Sequence, residues 1–212
     1  IIECHGCREN MIPDIQYSLG QCNVEVRPDF DGEERVFCVE PGLDLDIHLY
    51  EEENLEVLSD VYGVDKEIGA LSTQVPIKSL LLAGVGKCKI AEHVRIQNSE
   101  MPMYQLIHSE GEIRIDDQAI VENGIAVTGT LIVTTLYLCA GGAKTIYSTK
   151  NDLPFQYVIE VDNITSTCIY KLHSSIEQLT VTMLDSDELD VKAALQFKVL
   201  VFSQKTQNLV TD

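Results

Sequence analysis

The sequence contains no tryptophan, and aromatic residues make up only 6% of it. Carbohydrate- and peptidoglycan-binding β-modules display aromatic rings on an exposed face. This scarcity therefore disfavours a sugar-binding module. Basic residues are also few: 15 Lys and Arg stand against 34 Asp and Glu, a net charge of −19. A surface of that sign repels phosphate backbones and anionic lipid heads, which argues against nucleic acid and bare membrane as partners. No stretch approaches the ~20 apolar residues of a membrane span. The longest, "GIAVTGTLIVTTLYLCAGG", is interrupted by threonines and glycine. No leader-like segment opens the chain, and it begins at Ile1 rather than Met, so it reads as a processed or excised piece.

A hydrophobic content of 45% is enough for a sizeable core. Seven cysteines is an odd number, so at least one is unpaired within the chain or paired outside it. A chain of this length needs no disulfides to build a core, and mostly reduced thiols after intracellular synthesis are expected.

Alternation of period two dominates. In "GIAVTGTLIVTTLYL" one face carries Ile125, Val127, Gly129, Leu131, Val133, Thr135 and Tyr137. The other face is also fairly apolar, as expected of a strand covered on both sides. The preceding Asn123-Gly124 suits a two-residue type I′ hairpin turn. "AALQFKVLVF" and "GLDLDIHLY" alternate in the same way, while "QVPIKSLLLAG" has room for one short helical turn, stopped by Gly84 and Gly86. The class expected is all-β.

The chain also resembles itself. Leu43, Leu45, Ile47, Leu49 and Tyr50 fall on Leu195, Phe197, Val199, Val201 and Phe202, and Val57-Leu58 falls on Leu209-Val210. Farther upstream, Ile2-Glu3-Cys4 falls on Ile159-Glu160-Val161. Residues 1–60 thus read as the back half of a β-domain whose complete version occupies 61–212, with 61–100 as connector and first strands. The expected architecture is a tandem of related sandwich- or barrel-like domains, the first incomplete in this chain. A half β-domain leaves unpaired edges, which invites strand complementation by another segment or chain.

The same comparison bears on Cys4-His5-Gly6-Cys7. Cys4 stands where the second copy has Val161, and Cys7 where it has Ile164. At such positions a free cysteine acts as a small hydrophobe, and no second CxxC or His pair completes a zinc set. The odd count still leaves Cys4, Cys7, Cys22 and Cys139 as candidates for disulfides to neighbouring molecules. Gly84, Gly86 and Lys87 suggest a phosphate loop, but Leu81 and Cys88 stand where that loop needs glycine and Ser/Thr, so a turn or bulge is expected. The histidines are scattered without metal-type spacing. "DSDELD" offers alternate carboxylates but lacks the glycine and distal glutamate of a calcium loop. No catalytic, metal or cofactor-binding residues emerge.

"GEIRI", "VENGIAVTGTLIVTTLYL", "IYSTKNDLPFQYVIEV" and, in the first copy, "IIECHGC" together resemble the SPOCS-domain family of endospore-forming Firmicutes. "HLYEEENLEVLSDVYGVDKEI" resembles that family's charged strand and the segment following it, and the resemblance spans nearly the whole chain. It implies a non-enzymatic structural or scaffolding role in assembling the endospore envelope. The place implied runs from the mother-cell cytoplasm to the spore coat or surface. The partners implied are coat proteins or further copies of the chain, as homo-oligomer or polymer. A subunit of an extracellular or spore-surface fibre is the rival reading. Family members with tandem SPOCS domains carry a C-terminal LysM module; no LysM-like segment is visible here.

Overall fold

The computed structural model describes residues 5–65, 69–96, 102–139 and 145–210. It is all-β, as the alternation predicts, with no helix among the described residues. Two compact units divide the chain, Ile1–Glu56 and Val57–Asp212. The first holds β1 (Ile12–Pro28) and β2 (Glu34–Tyr50), paired antiparallel. Their connection is set by the Asp29 carboxylate, which accepts hydrogen bonds from the backbone N–H of Asp31 (2.9 Å) and Glu33 (3.1 Å), and by Gly32 at φ 84°. A short acceptor side chain and a glycine at positive φ are what a tight turn requires.

The second unit holds β3 (Ser72–Arg95), β4 (Met103–Val121), β5 (Gly124–Cys139), β6 (Ile146–Glu160), β7 (Ile169–Met183) and β8 (Glu188–Val210). They form two separate three-stranded antiparallel sheets, β3-β8-β7 and β4-β5-β6. The architecture is a sandwich rather than a closed barrel, with β5 and β8 central. Side chains of period two from both central strands fill the space between: Ile125, Val127, Leu131 and Val133 from β5 meet Val191, Leu195, Phe197 and Val201 from β8, all fully buried. Each such side chain contributes about 1.5–3 kcal/mol of burial. Phe197 lies 5.6 Å from the Tyr157 ring, stacked at 15°, and 5.8 Å from Phe155. Thr135 is buried too, and its hydroxyl accepts from Ser109 Oγ at 3.3 Å, which offsets its desolvation.

Several local expectations change. The opposite face of β5 is mostly half-buried, with Thr130 buried. Its threonines and Ile132 reflect β-propensity on a central strand rather than full burial on both sides. Residues 74–84 form no helical turn but run inside β3, where Pro76 is tolerated because β3 is an edge strand. Gly84 and Gly86 also lie within that strand, not in a turn; the irregularity falls between Leu80 and Leu82. Gly86 is required by close approach, since a Cβ there would come 2.8 Å from the Tyr157 ring. The β4–β5 turn residues are Glu122-Asn123, one position earlier than expected, with Asn123 alone at positive φ (63°). Gly124 already belongs to β5, where a Cβ would meet the Ile159 carbonyl oxygen at 2.5 Å.

At the β4 irregularity between Ile115 and Asp117, Arg114 Nε donates to Asp116 Oδ1 (2.9 Å) and Thr130 Oγ1 donates to Asp116 Oδ2 (3.1 Å). The Arg114 bond, seconded by Thr130, holds the Asp116 carboxyl below its ordinary range.

Candidate functional site

The β1–β2 and β7–β8 hairpins share one register. Ile12 opposes Tyr50 in the first unit as Ile169 opposes Phe202 in the second. Leu19 opposes Leu43 as Ile176 opposes Leu195, and directly after each of these pairs the register slips. Beyond the slip, Val24 opposes Val39 as Val181 opposes Val191. Register fixes which side chains share a face, so β1–β2 and β7–β8 present the same set of positions inward.

Their surroundings differ. On β8 that face lies under the β4-β5-β6 sheet, and Val191, Leu195, Phe197 and Val201 are fully buried. On β2 the matching positions are Val39, Leu43, Leu45 and Leu49, and each is exposed, Leu43 at 59%. β1 adds Ile15, Tyr17, Leu19, Val24 and Val26 to the same face, with Tyr17 and Leu19 at 75%. No charged residue interrupts it; the acidic side chains of β2, Glu40, Asp44 and Asp46, occupy the alternate face. A contiguous, exposed, uncharged apolar face of this kind marks an interaction site. A two-stranded hairpin alone is at best marginally stable in water, so this one has reason to be covered.

The strand edge carries the same message. β8 continues to Val210 because β3 pairs with it along the whole length, from Ser72–Val210 to Arg95–Glu188. β2 stops at Tyr50, and residues 51–60 are not strand. In the self-comparison those residues match the end of β8. The sequence is compatible with a strand there, yet the strand ends at Tyr50, and the Leu58 carbonyl accepts from the Val210 N–H at the end of β8 (2.9 Å).

Of the candidate cross-linking cysteines, Cys7 and Cys22 are exposed, while Cys139 is buried at the end of β5. Cys4 lies outside the described residues. A disulfide from Cys139 to a neighbour would first require opening of the β5 end. Cys22 opposes Pro41 as Leu179 opposes Ala193, which puts its thiol on the bare apolar face. Sequence reasoning passed over Cys38, half-buried near the start of β2 and opposite Glu25. Its position in the alternation of β2 was the available signal. Cys88 and Cys168 are buried in the second unit; burial raises the Cys88 thiol pKa, and Thr165 N–H donates to Cys168 Sγ at 3.4 Å. Since the thiolate is the nucleophile, brief alkylation of the native chain is expected to modify Cys7 and Cys22 fully while sparing Cys88, Cys139 and Cys168. Peptide mass mapping checks this, and early modification of Cys139 would contradict its placement.

Other candidate chemistry finds no geometry. Gly84 to Lys87 is extended strand, and Lys87 Nζ is held by Glu177 Oε1 at 2.6 Å. In "DSDELD" the Asp185 carboxylate accepts from Ser186 N–H, a tight connection between β7 and β8. Among the described residues no three His, Cys, Asp or Glu side chains are grouped to hold a metal, and no helix is long and apolar enough to cross a membrane.

Comparison with known proteins finds one family. Residues 102–184, which run from β4 through β7, match the family described as "SipL, SPOCS domain". No curated protein and no solved structure matches the chain. The β4-β5-β6 sheet and the strand β7 after it are the part of the fold that this family describes, and that part of the chain is similar to a domain family linked to sporulation.

Proposed function

We propose that this chain is a non-enzymatic structural component of the bacterial endospore envelope, acting in coat assembly through protein–protein contacts. It would be made in the mother-cell cytoplasm and deposited on the spore coat or surface. The observation that carries the reading is the bare, uncharged face of β1–β2 in a chain that also bears a SPOCS domain. An envelope scaffold needs surfaces that stay open until a partner arrives, and an apolar sheet face with free edges is such a surface. The acidic balance of the rest of the molecule keeps it soluble meanwhile. The free β2 edge also favours a second reading, a fibre subunit joined by strand complementation.

The test is localisation during sporulation. A fluorescently tagged chain, produced in a sporulating endospore former, is expected to ring the developing spore. The variant Tyr17→Asp/Leu45→Asp, which puts charge on the bare face, is expected to spread through the mother cell. Uniform fluorescence from the unaltered chain counts against the envelope role. Filaments of the purified chain in electron micrographs would favour the fibre.

A further inference from the structure

We infer that the β1–β2 face and the free edge of β2 are the docking site for a SPOCS-type block: one edge strand like β3 together with a three-stranded sheet like β4-β5-β6. The inference deepens the proposed scaffolding role by naming its surface and partner, but its physical basis is the internal likeness of the two hairpins. Three observations carry it. The registers of β1–β2 and β7–β8 coincide, including the place of the slip. The inward positions are apolar in both, yet covered in one and bare in the other. The segment after Tyr50 lacks strand structure where its counterpart in β8 is held by β3.

The second unit shows what the occupant must offer. Gly111 of β4 is the notch that admits Ile176 and Leu179: a Cβ there would sit 2.8 Å from Ile176 Cδ1 and 3.1 Å from Leu179 Cδ2. The matching side chains on β1 are Leu19 and Cys22. Phe155 and Tyr157 of β6 flank Phe197, whose counterpart is Leu45. The occupant therefore presents a small residue to Leu19 and Cys22, an aromatic pair to Leu45, and backbone N–H and C=O groups to the outer edge of β2. A second copy of the second unit is a poor source, because its own residues 72–160 already cover its β7–β8. The block comes from another SPOCS-type segment whose own hairpin does not occupy it.

The test lengthens residues 1–212 by placing a second copy of residues 72–160 directly ahead of Cys4, the join that the match of Cys4 to Val161 dictates. Amide hydrogen exchange and Cys22 alkylation are followed in the 212-residue and lengthened chains. In the 212-residue chain β2 is expected to exchange fast and Cys22 to react at once. In the lengthened chain, β2 exchange and Cys22 alkylation are each expected to slow by about 100-fold or more, as amides buried in a cooperative unit do. Because Leu45 is smaller than Phe197, a companion carries Leu45→Phe, Ile47→Val and Leu49→Val, reproducing the inner face of β8. Fast exchange in both lengthened chains overturns the inference. So does protection of β2 in the unlengthened chain that grows with concentration as its mass doubles, which would make a second copy the occupant. Neither readout involves the spore, so failure here is distinct from failure of the localisation test.

Discussion

Phe197→Ala is expected to destabilise the second unit by about 3–5 kcal/mol, the range for deleting a buried aromatic ring. Its ring is fully buried in β8, stacked on Tyr157 and tilted against Phe155 across the interior. Both rings belong to β6 and are held in its sheet, so little of the cavity can close. For a unit of this size the thermal midpoint should fall by roughly 10 °C. Leu45→Ala is the matching experiment in the first unit. Leu45 takes the place of Phe197 in the shared register but is 45% exposed, and its truncation is expected to change stability by no more than about 0.5 kcal/mol. Circular dichroism melts of the full chain measure both. Equal losses at the two positions would mean that the β1–β2 face is already covered.

That pair of residues also shows what the sequence could and could not reveal. Leu45 and Phe197 stand in the same alternating pattern, and the pattern is what makes each strand legible as β and each inward face legible as apolar. Alternation reports which residues share a face; it does not report what lies over it. Burial of Phe197 depends on β5 and β6, elements far from it in sequence. The covering of a face is therefore a property of topology, and only the structure distinguishes β2 from β8. The same limit explains the local misreadings. Gly84 and Gly86 look like a stop in one dimension, but Gly86 answers to Tyr157 of β6. Asn123-Gly124 carries the right turn chemistry, yet Gly124 is held in β5 by the Ile159 carbonyl, and the turn closes one residue earlier. The short apolar run from Gln74 to Gly84 fits helix or strand equally until β8 is seen pairing along it. The bare face was half legible: its apolar residues could be read in "GLDLDIHLY", while its exposure and the thiol of Cys22 upon it required the structure.

The second large effect is expected from adding a single methyl group. Gly129 lies in the middle of β5, between Ile115 of β4 and Phe155 of β6. A Cβ there would fall 2.4 Å from the Arg114 carbonyl oxygen and 2.8 Å from the Phe155 ring. The first obstacle is backbone, fixed by the β4–β5 ladder, so no change of rotamer relieves it. The second is a ring braced against Phe197. Gly129→Ala should cost about 3 kcal/mol, the upper part of the range for overpacking, and lower the midpoint by up to about 10 °C. Gly84→Ala is the control: the three atoms nearest its added methyl all belong to the Leu82 side chain, at 3.3–3.4 Å, which can give way, and a change below about 1 kcal/mol is expected. Tyrosine fluorescence, unobscured by any tryptophan, follows denaturant unfolding of both. If the two glycines behave alike, the close packing at the β5 centre is wrong. The double variant Phe197→Ala/Gly129→Ala adds a test of cause. Removing the Phe197 ring frees Phe155 to withdraw from the new methyl, so the combined loss should fall short of the sum by about 1 kcal/mol, the scale of coupling between residues that share a neighbour. The remaining strain would then be the clash with the Arg114 carbonyl, which no side-chain movement can reach.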